Sequence, residues 1–409
     1  MKRRMILGSA VALPLLGAMP LTAKGQGAGT IRLGVLNDMS GPYRDISGPT
    51  SVACVRQAVK DSGLEARGIK IEILSADHQN RADIASSITS QWLERDGVDV
   101  VVDVPNSGAA LAVNSIIRAK NKVYLNAGAA TSDLTGTQCS PNTVHWTYDT
   151  YMLAKSTGSA VVKLGGKSWF FVAVDYAFGQ AMQRDTTKVV EAMGGRVVGS
   201  AKYPLNTTDL SSFLIEAQAS KAQVVAFANA GADTINSVKQ AVEFGLPSSG
   251  IKLVTLLMYV NDVHSLGLST AQKLSCTETF YWDLNDRTRA FTERVRPFVA
   301  GNMPCMTHAG CYAASLHYLK VVADMGVAAA KASGVDTVNR MKAMPTDDDC
   351  FGPGVIRVDG RKIHPAYLFE VKSPAESKYP WDYYKLAGTT PGDEVFRPLS
   401  EGACPLVKA

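Results

Sequence analysis

Phe170-Phe171-Val172-Ala173-Val174 is an apolar run that stops at Asp175-Tyr176-Ala177-Phe178-Gly179. A helical stretch, residues 180–193, follows and ends at Gly194-Gly195. Val197 and Val198 open a second apolar run that leads into Tyr203-Pro204-Leu205-Asn206-Thr207-Thr208-Asp209-Leu210-Ser211-Ser212-Phe213. Strand, loop, helix, strand, loop is one βαβ unit of a parallel sheet. In such sheets ligands bind beyond the carboxyl ends of the strands, which is where Asp175, Tyr176 and Phe178 fall.

The alternation continues on both sides of this unit. Upstream, strands are expected over 31–36, 69–75, 98–102 and 123–126, with helices over 49–62, 82–95 and from Gly108 to about Lys120. Val144-His145-Trp146-Thr147-Tyr148 and a helix over 151–164 then lead into the quoted stretch. Downstream come a helix over 211–220, a strand over 224–228, a helix over 233–244 and a strand over 253–257. Thr279-Phe280-Tyr281-Trp282 precedes mainly helical sequence to Met344, and the tail holds a hairpin at Asp359-Gly360 and aromatic strands. The pattern predicts doubly wound α/β layers with right-handed crossovers, and 409 residues suit two such lobes better than one.

The first residues do not belong to that pattern. Lys2, Arg3 and Arg4 precede the apolar stretch 5–21, and small residues follow at Ala23, Gly25, Gly27 and Ala28. This is the layout of a cleaved signal peptide, expected over residues 1–25, exported by the general or the twin-arginine route. Its removal takes away Lys2, Arg3, Arg4 and Lys24 and no acids, so the formal net charge falls from +5 to +1. The remaining chain has no Lys/Arg cluster of the kind nucleic-acid binding requires. Seven cysteines enter an oxidising compartment on export. Cys54 reads as a core residue, while Cys139 and Cys404, in turn-rich segments, are the pair expected to form a bridge.

The order of the motifs resembles that of type I periplasmic solute-binding proteins, the group that includes the Leu/Ile/Val-binding proteins. Phe178-Gly179, the Tyr203-Pro204 to Ser211-Ser212 run and the Ser40-Gly41-Pro42 turn carry the resemblance. It spans Ile31 to about Lys385. It implies two Rossmann-like lobes joined by a three-strand hinge, with crossings near Tyr148, Tyr281 and Gly352. The lobes would be residues 29–148 plus 282–352 and 149–281 plus 353–409. It also implies a monomer that closes on a small solute and delivers it to the transmembrane subunits of an ABC permease.

Loops at strand ends should hold that solute. Asn106 and Ser107 offer an amide and a hydroxyl just before a helix, or simply cap it. Ala129, Ala130 and Thr131 offer small residues and free N–H groups, and resemble the family's carboxylate-binding loop. From the other lobe, Tyr176 and Phe178 can wall the ligand, or pack between helices. Asn229 and Asp233 bracket Gly231 at the next strand end, where Asp233 also fits a helix cap, and Tyr43 can reach in from the first loop. Amino-acid-binding members hold the ligand's ammonium with a carboxylate beyond the strand before the second hinge. That segment here is Leu256-Leu257-Met258-Tyr259-Val260-Asn261, with no acid until Asp262. An unpaired buried ammonium is costly, so a zwitterion would need Asp262 or Asp233. The aromatic residues, Tyr259 included, point instead to a flat or apolar carboxylate such as an aromatic acid.

Enzyme signatures are missing. Gly165-Gly166-Lys167-Ser168 lacks the leading glycine of a P-loop, which would be Val161, and precedes a strand instead of following one. No H-E-x-x-H or G-x-S-x-G occurs, the six histidines are dispersed, and Asp347-Asp348-Asp349 reads as a solvated loop. No catalytic residue, metal or cofactor is expected. Two alternatives stand beside the transport reading: a sensory receptor of the same fold, and a secreted α/β hydrolase with a dispersed triad.

Overall fold

The computed structural model describes residues 29–408, so the expected leader lies outside the described residues. Five parallel strands form a first sheet: β1 (Thr30–Asn37), β2 (Lys70–Asp77), β3 (Val100–Asp103), β4 (Val123–Asn126) and β5 (Thr143–His145), in the order β2-β1-β3-β4-β5. Every residue of β3, β4 and β5 is buried, as expected of parallel strands covered on both faces. That is why they read as unbroken apolar runs. The crossovers are α1 (Gly48–Ser62), α2 (Ala82–Glu94) and α3 (Ser107–Ala119).

A second parallel sheet, ordered β7-β6-β8-β9, contains β6 (Ser168–Val174), β7 (Arg196–Tyr203), β8 (Val224–Ala228) and β9 (Lys252–Thr255). Its helices are α4 (Ala177–Ala192), α5 (Ser211–Ala219), α6 (Ala232–Glu243) and α7 (Val260–Leu266). The chain then adds β10 (Ser275–Glu278), α8 (Asp286–Val295), α9 (Met306–Met325) and α10 (Gly334–Ala343). Residues 306–319 of α9 are all buried, which suits a helix apolar on every side and packed along α1.

The tail forms the hairpin β11 (Val355–Ile356) and β12 (Lys362–Ile363), then β13 (Ala366–Val371) and β14 (Tyr384–Thr390), which pair antiparallel with β10 in the order β10-β13-β14. The hairpin stays with the first sheet. Arg361 bridges to His145, whose N–H donates to Gly360 O at 2.9 Å, and the buried Arg361 guanidinium donates to Tyr148 O at 3.0 Å. Residues 360–361 thus lie beside β5, whereas β13, which follows, pairs with β10. The end of the chain returns to the first lobe through a Cys139–Cys404 disulfide, the bridge expected from the sequence. Asp348 differs from the solvated loop expected of it: it is buried and accepts the N–H groups of Cys350 and Phe351.

Candidate functional site

The carboxyl ends of the two parallel sheets face each other across a narrow, nearly filled cavity of about 10 Å³, room for roughly one water. From the first lobe and its crossing it is walled by Tyr43, Ile46, Pro105, Ser107, Gly128, Ala130 and Tyr148. From the second come Tyr176, Phe178, Ala230, Leu257 and Tyr259. Larger grooves lie elsewhere, one beside α1 along Val52, Arg56 and Phe298, but they sit on the outer surface.

The lobes are closed on each other. Tyr43 and Tyr176 pair through their hydroxyls at 2.5 Å, and Tyr148 and Tyr259 form a second hydroxyl pair across the cavity. Tyr148 Oη donates to Gly128 O at 2.6 Å, so Tyr259 is the donor in that second pair. The Ala232 N–H donates to Pro42 O at 3.1 Å. Gly231, at φ 58°, allows this approach, since a Cβ there would lie 2.5 Å from the same carbonyl. At the cleft's flank Ser132 Oγ donates to Asp185 at 2.7 Å, and Arg184 pairs with Asp133 at 3.0 Å.

Of the eleven candidates, Tyr43, Ser107, Ala130, Tyr176, Phe178 and Tyr259 line this cavity. The other five candidates stand behind the wall. Asn106 caps α3, accepting from Ala109 N–H at 2.9 Å, and its amide donates to Asn80 Oδ1 at 2.6 Å. Thr131 Oγ1 accepts from Asp133 N–H and so caps the short turn that follows. Ala129 packs in the core of the first lobe. Asn229 is saturated by Tyr203, Ser237 and Thr234. Asp233 is buried beside Tyr203 and the Asn206 N–H, with Oδ2 unpartnered among the described residues, and burial pushes it up to about 6. Asp262 is also withdrawn: it accepts the Tyr259 N–H at 3.0 Å, and burial lifts it to about 7.

Several wall residues were not singled out in the sequence. Pro105, Gly128 and Leu257 lie in the loops and strand end already marked, Tyr148 marks an expected lobe crossing, and nothing local distinguishes Ile46 or Ala230. Electrostatically the wall is uncharged: among the described residues no Asp, Glu, Lys, Arg or His lines it. Three helices begin there, with Ser107 the first residue of α3, Phe178 the second of α4, and Ala230 just before α6. Their amino ends carry partial positive charge toward an otherwise neutral cavity.

The profile of the periplasmic binding protein family matches residues 30–378. The chain belongs to that family. This binding protein is 46% identical to a periplasmic binding protein from Burkholderia mallei, with a TM-score of 0.88 over 93% of this chain and 99% of that one. It is 38% identical to a branched chain amino acid ABC transporter periplasmic ligand-binding protein from Burkholderia xenovorans LB400, with a TM-score of 0.80 over 92% and 99% of the two chains. A Leu/Ile/Val-binding protein homolog from Brucella melitensis shares 26% identity over 90% of this chain and 94% of that protein. The α/β fold of two parallel-sheet lobes is that of type I binding proteins. Membership makes the chain a periplasmic solute-binding protein of an ABC transporter.

Proposed function

We propose that this binding protein closes on a small carboxylate with a flat or apolar body, an aromatic acid, and delivers it to the membrane subunits of its permease. The observation that carries this reading is a cavity walled by four tyrosines and a phenylalanine, with no ionised side chain and three helix amino ends. A carboxylate suits the N–H groups around Ser107 and Ala130, and the aromatic rings suit a planar body. Ligand then favours the closed state by its differential affinity for it. Residues 29–148 and 282–363 would move as one lobe and the second parallel sheet with β10, β13 and β14 as the other. Residues 1–25 act as the export leader, and intact mass of periplasmic protein lacking them would support this.

A branched-chain amino acid is the second reading, favoured by the likeness to the xenovorans protein and by the unpartnered Oδ2 of Asp233. Calorimetry separates the two. Benzoate or 4-hydroxybenzoate should bind and L-leucine should not; tight leucine binding lost in Asp233→Asn would reverse the choice. A ligand at a hundred times its Kd should add roughly 2.7 kcal/mol of stability, visible as a thermal shift.

A further inference from the structure

β3 ends at Asp103 (φ 81°) and is followed by Val104 (φ 62°), two consecutive non-glycine residues with left-handed backbone. A β-branched residue in that region is rare, and such a turn persists only where its surroundings over-determine it. It delivers Pro105 and Ser107 to the cavity wall. Beneath it the Asp103 carboxyl is fully buried. Oδ2 accepts from Ser51 Oγ at 2.9 Å and Ser47 Oγ at 3.3 Å, while Oδ1 has no partner among the described residues. That oxygen faces Gly128 of the wall, where a Cβ would lie 2.5 Å from it.

The other groups around this carboxyl are Cys54 of α1, Cys311 of α9, Tyr124 of β4 and Tyr148 beyond it, and burial raises every one of those thiols and phenols. All are neutral at physiological pH, and among the described residues no cation faces Asp103. The nearest imidazole on α9, His308, accepts or donates only at Ser47 O and the Cys305 N–H, and burial keeps it neutral. Burial without a compensating charge lifts Asp103 to about 7.

We propose that Asp103 makes ligand capture proton-linked: a carboxylate seated against Ser107 and Gly128 is accepted only while Asp103 is protonated. Two like charges a few ångströms apart in a dry cavity do not both persist, so binding an anion draws one proton from solvent onto Asp103. This rests on the carboxylate reading of the cleft.

Titration calorimetry of the mature protein with benzoate, 4-hydroxybenzoate and L-leucine, in phosphate and in Tris, counts that proton through the buffers' different ionisation enthalpies. For whichever ligand binds, we expect proton uptake at pH 7.5 and an affinity about tenfold weaker at pH 8 than at pH 6. Asp103→Asn should show no uptake and a flat affinity across that range, whereas Glu278→Gln, which neutralises a buried carboxyl that does not line the cavity, should keep the slope. Buffer-independent heats with a pH-flat affinity in the unaltered protein would overturn the proposal, whether or not Asp103→Asn folds. Failure of all three ligands to bind at any pH would instead reject the carboxylate reading, and the proton link with it.

Discussion

Tyr43 and Tyr176 wall the cavity with their rings and join the lobes with their hydroxyls, so ring and hydroxyl are separable by substitution. Tyr43→Phe keeps the ring and removes the pair, which is worth about 0.5–1.5 kcal/mol of closed state. Ligand affinity should fall by about two- to tenfold with little change in melting temperature, and an unchanged Kd in calorimetry would show that the pair does not support closure. Gly231→Ala places a Cβ against Pro42 O and strains a left-handed backbone, so it should impair closure and binding more than folding. Thr131 shows where residue type misleads. In the sequence it looks like a ligand group, since small polar loops after buried strands rarely have a packing role. In the fold its hydroxyl caps a turn, so Thr131→Ala should lower stability by about 1 kcal/mol, read by denaturant unfolding, and leave the Kd near its original value.

Elements differ in how much of their place is written locally. Strands such as β6 and β8 are buried on both faces and show as apolar runs bounded by turn residues; the helices that follow them, α4 and α6, show a 3.6-residue apolar period. The two-residue strands β11 and β12 have no such signature, and their place beside β5 depends on Arg361 meeting His145 and Tyr148, more than 200 residues away in sequence. The tail behaves likewise. After β14 it crosses to the first lobe, where Arg397 donates to Ser132 O at 2.8 Å and Cys404 is bonded to Cys139, 265 residues earlier. A crosslink closing so long a loop stabilises by about 2–5 kcal/mol. Cys404→Ser should therefore lower the melting temperature and render it insensitive to reductant, while the unaltered protein loses stability on reduction. Equal melting temperatures with and without reductant in the unaltered protein would contradict this.

Over the whole molecule, buried ionisable groups set the pH range of stability. Burial raises Asp233 to about 6, Asp103 and Asp262 to about 7, and Glu278, which accepts from Tyr384 Oη, to about 8. At these carboxyls the folded chain binds more protons than the unfolded one, so their stabilisation is complete in acid and is lost as pH rises toward 8. Five imidazoles act the other way. Burial lowers His308 to about 3 and His78 and His317 to about 4, and holds His145 and His364 well below the ordinary value too, so stability falls as pH drops below the ordinary 6.5. The melting temperature should peak at about pH 6 and decline on both sides, with the alkaline decline reduced in Glu278→Gln. A melting temperature that rises from pH 6.5 to 8 would rule this balance out. The sequence by itself determined the two α/β series, the strand ends that face the cleft and the family, because apolar period, turn residues and motif order are local properties. Only the tertiary structure decided which residues of those loops reach the cavity, how the tail is shared between the lobes, and that Asp103 lies without a counter-charge beneath Gly128. Those outcomes depend on contacts between segments far apart in the chain, which no local pattern encodes.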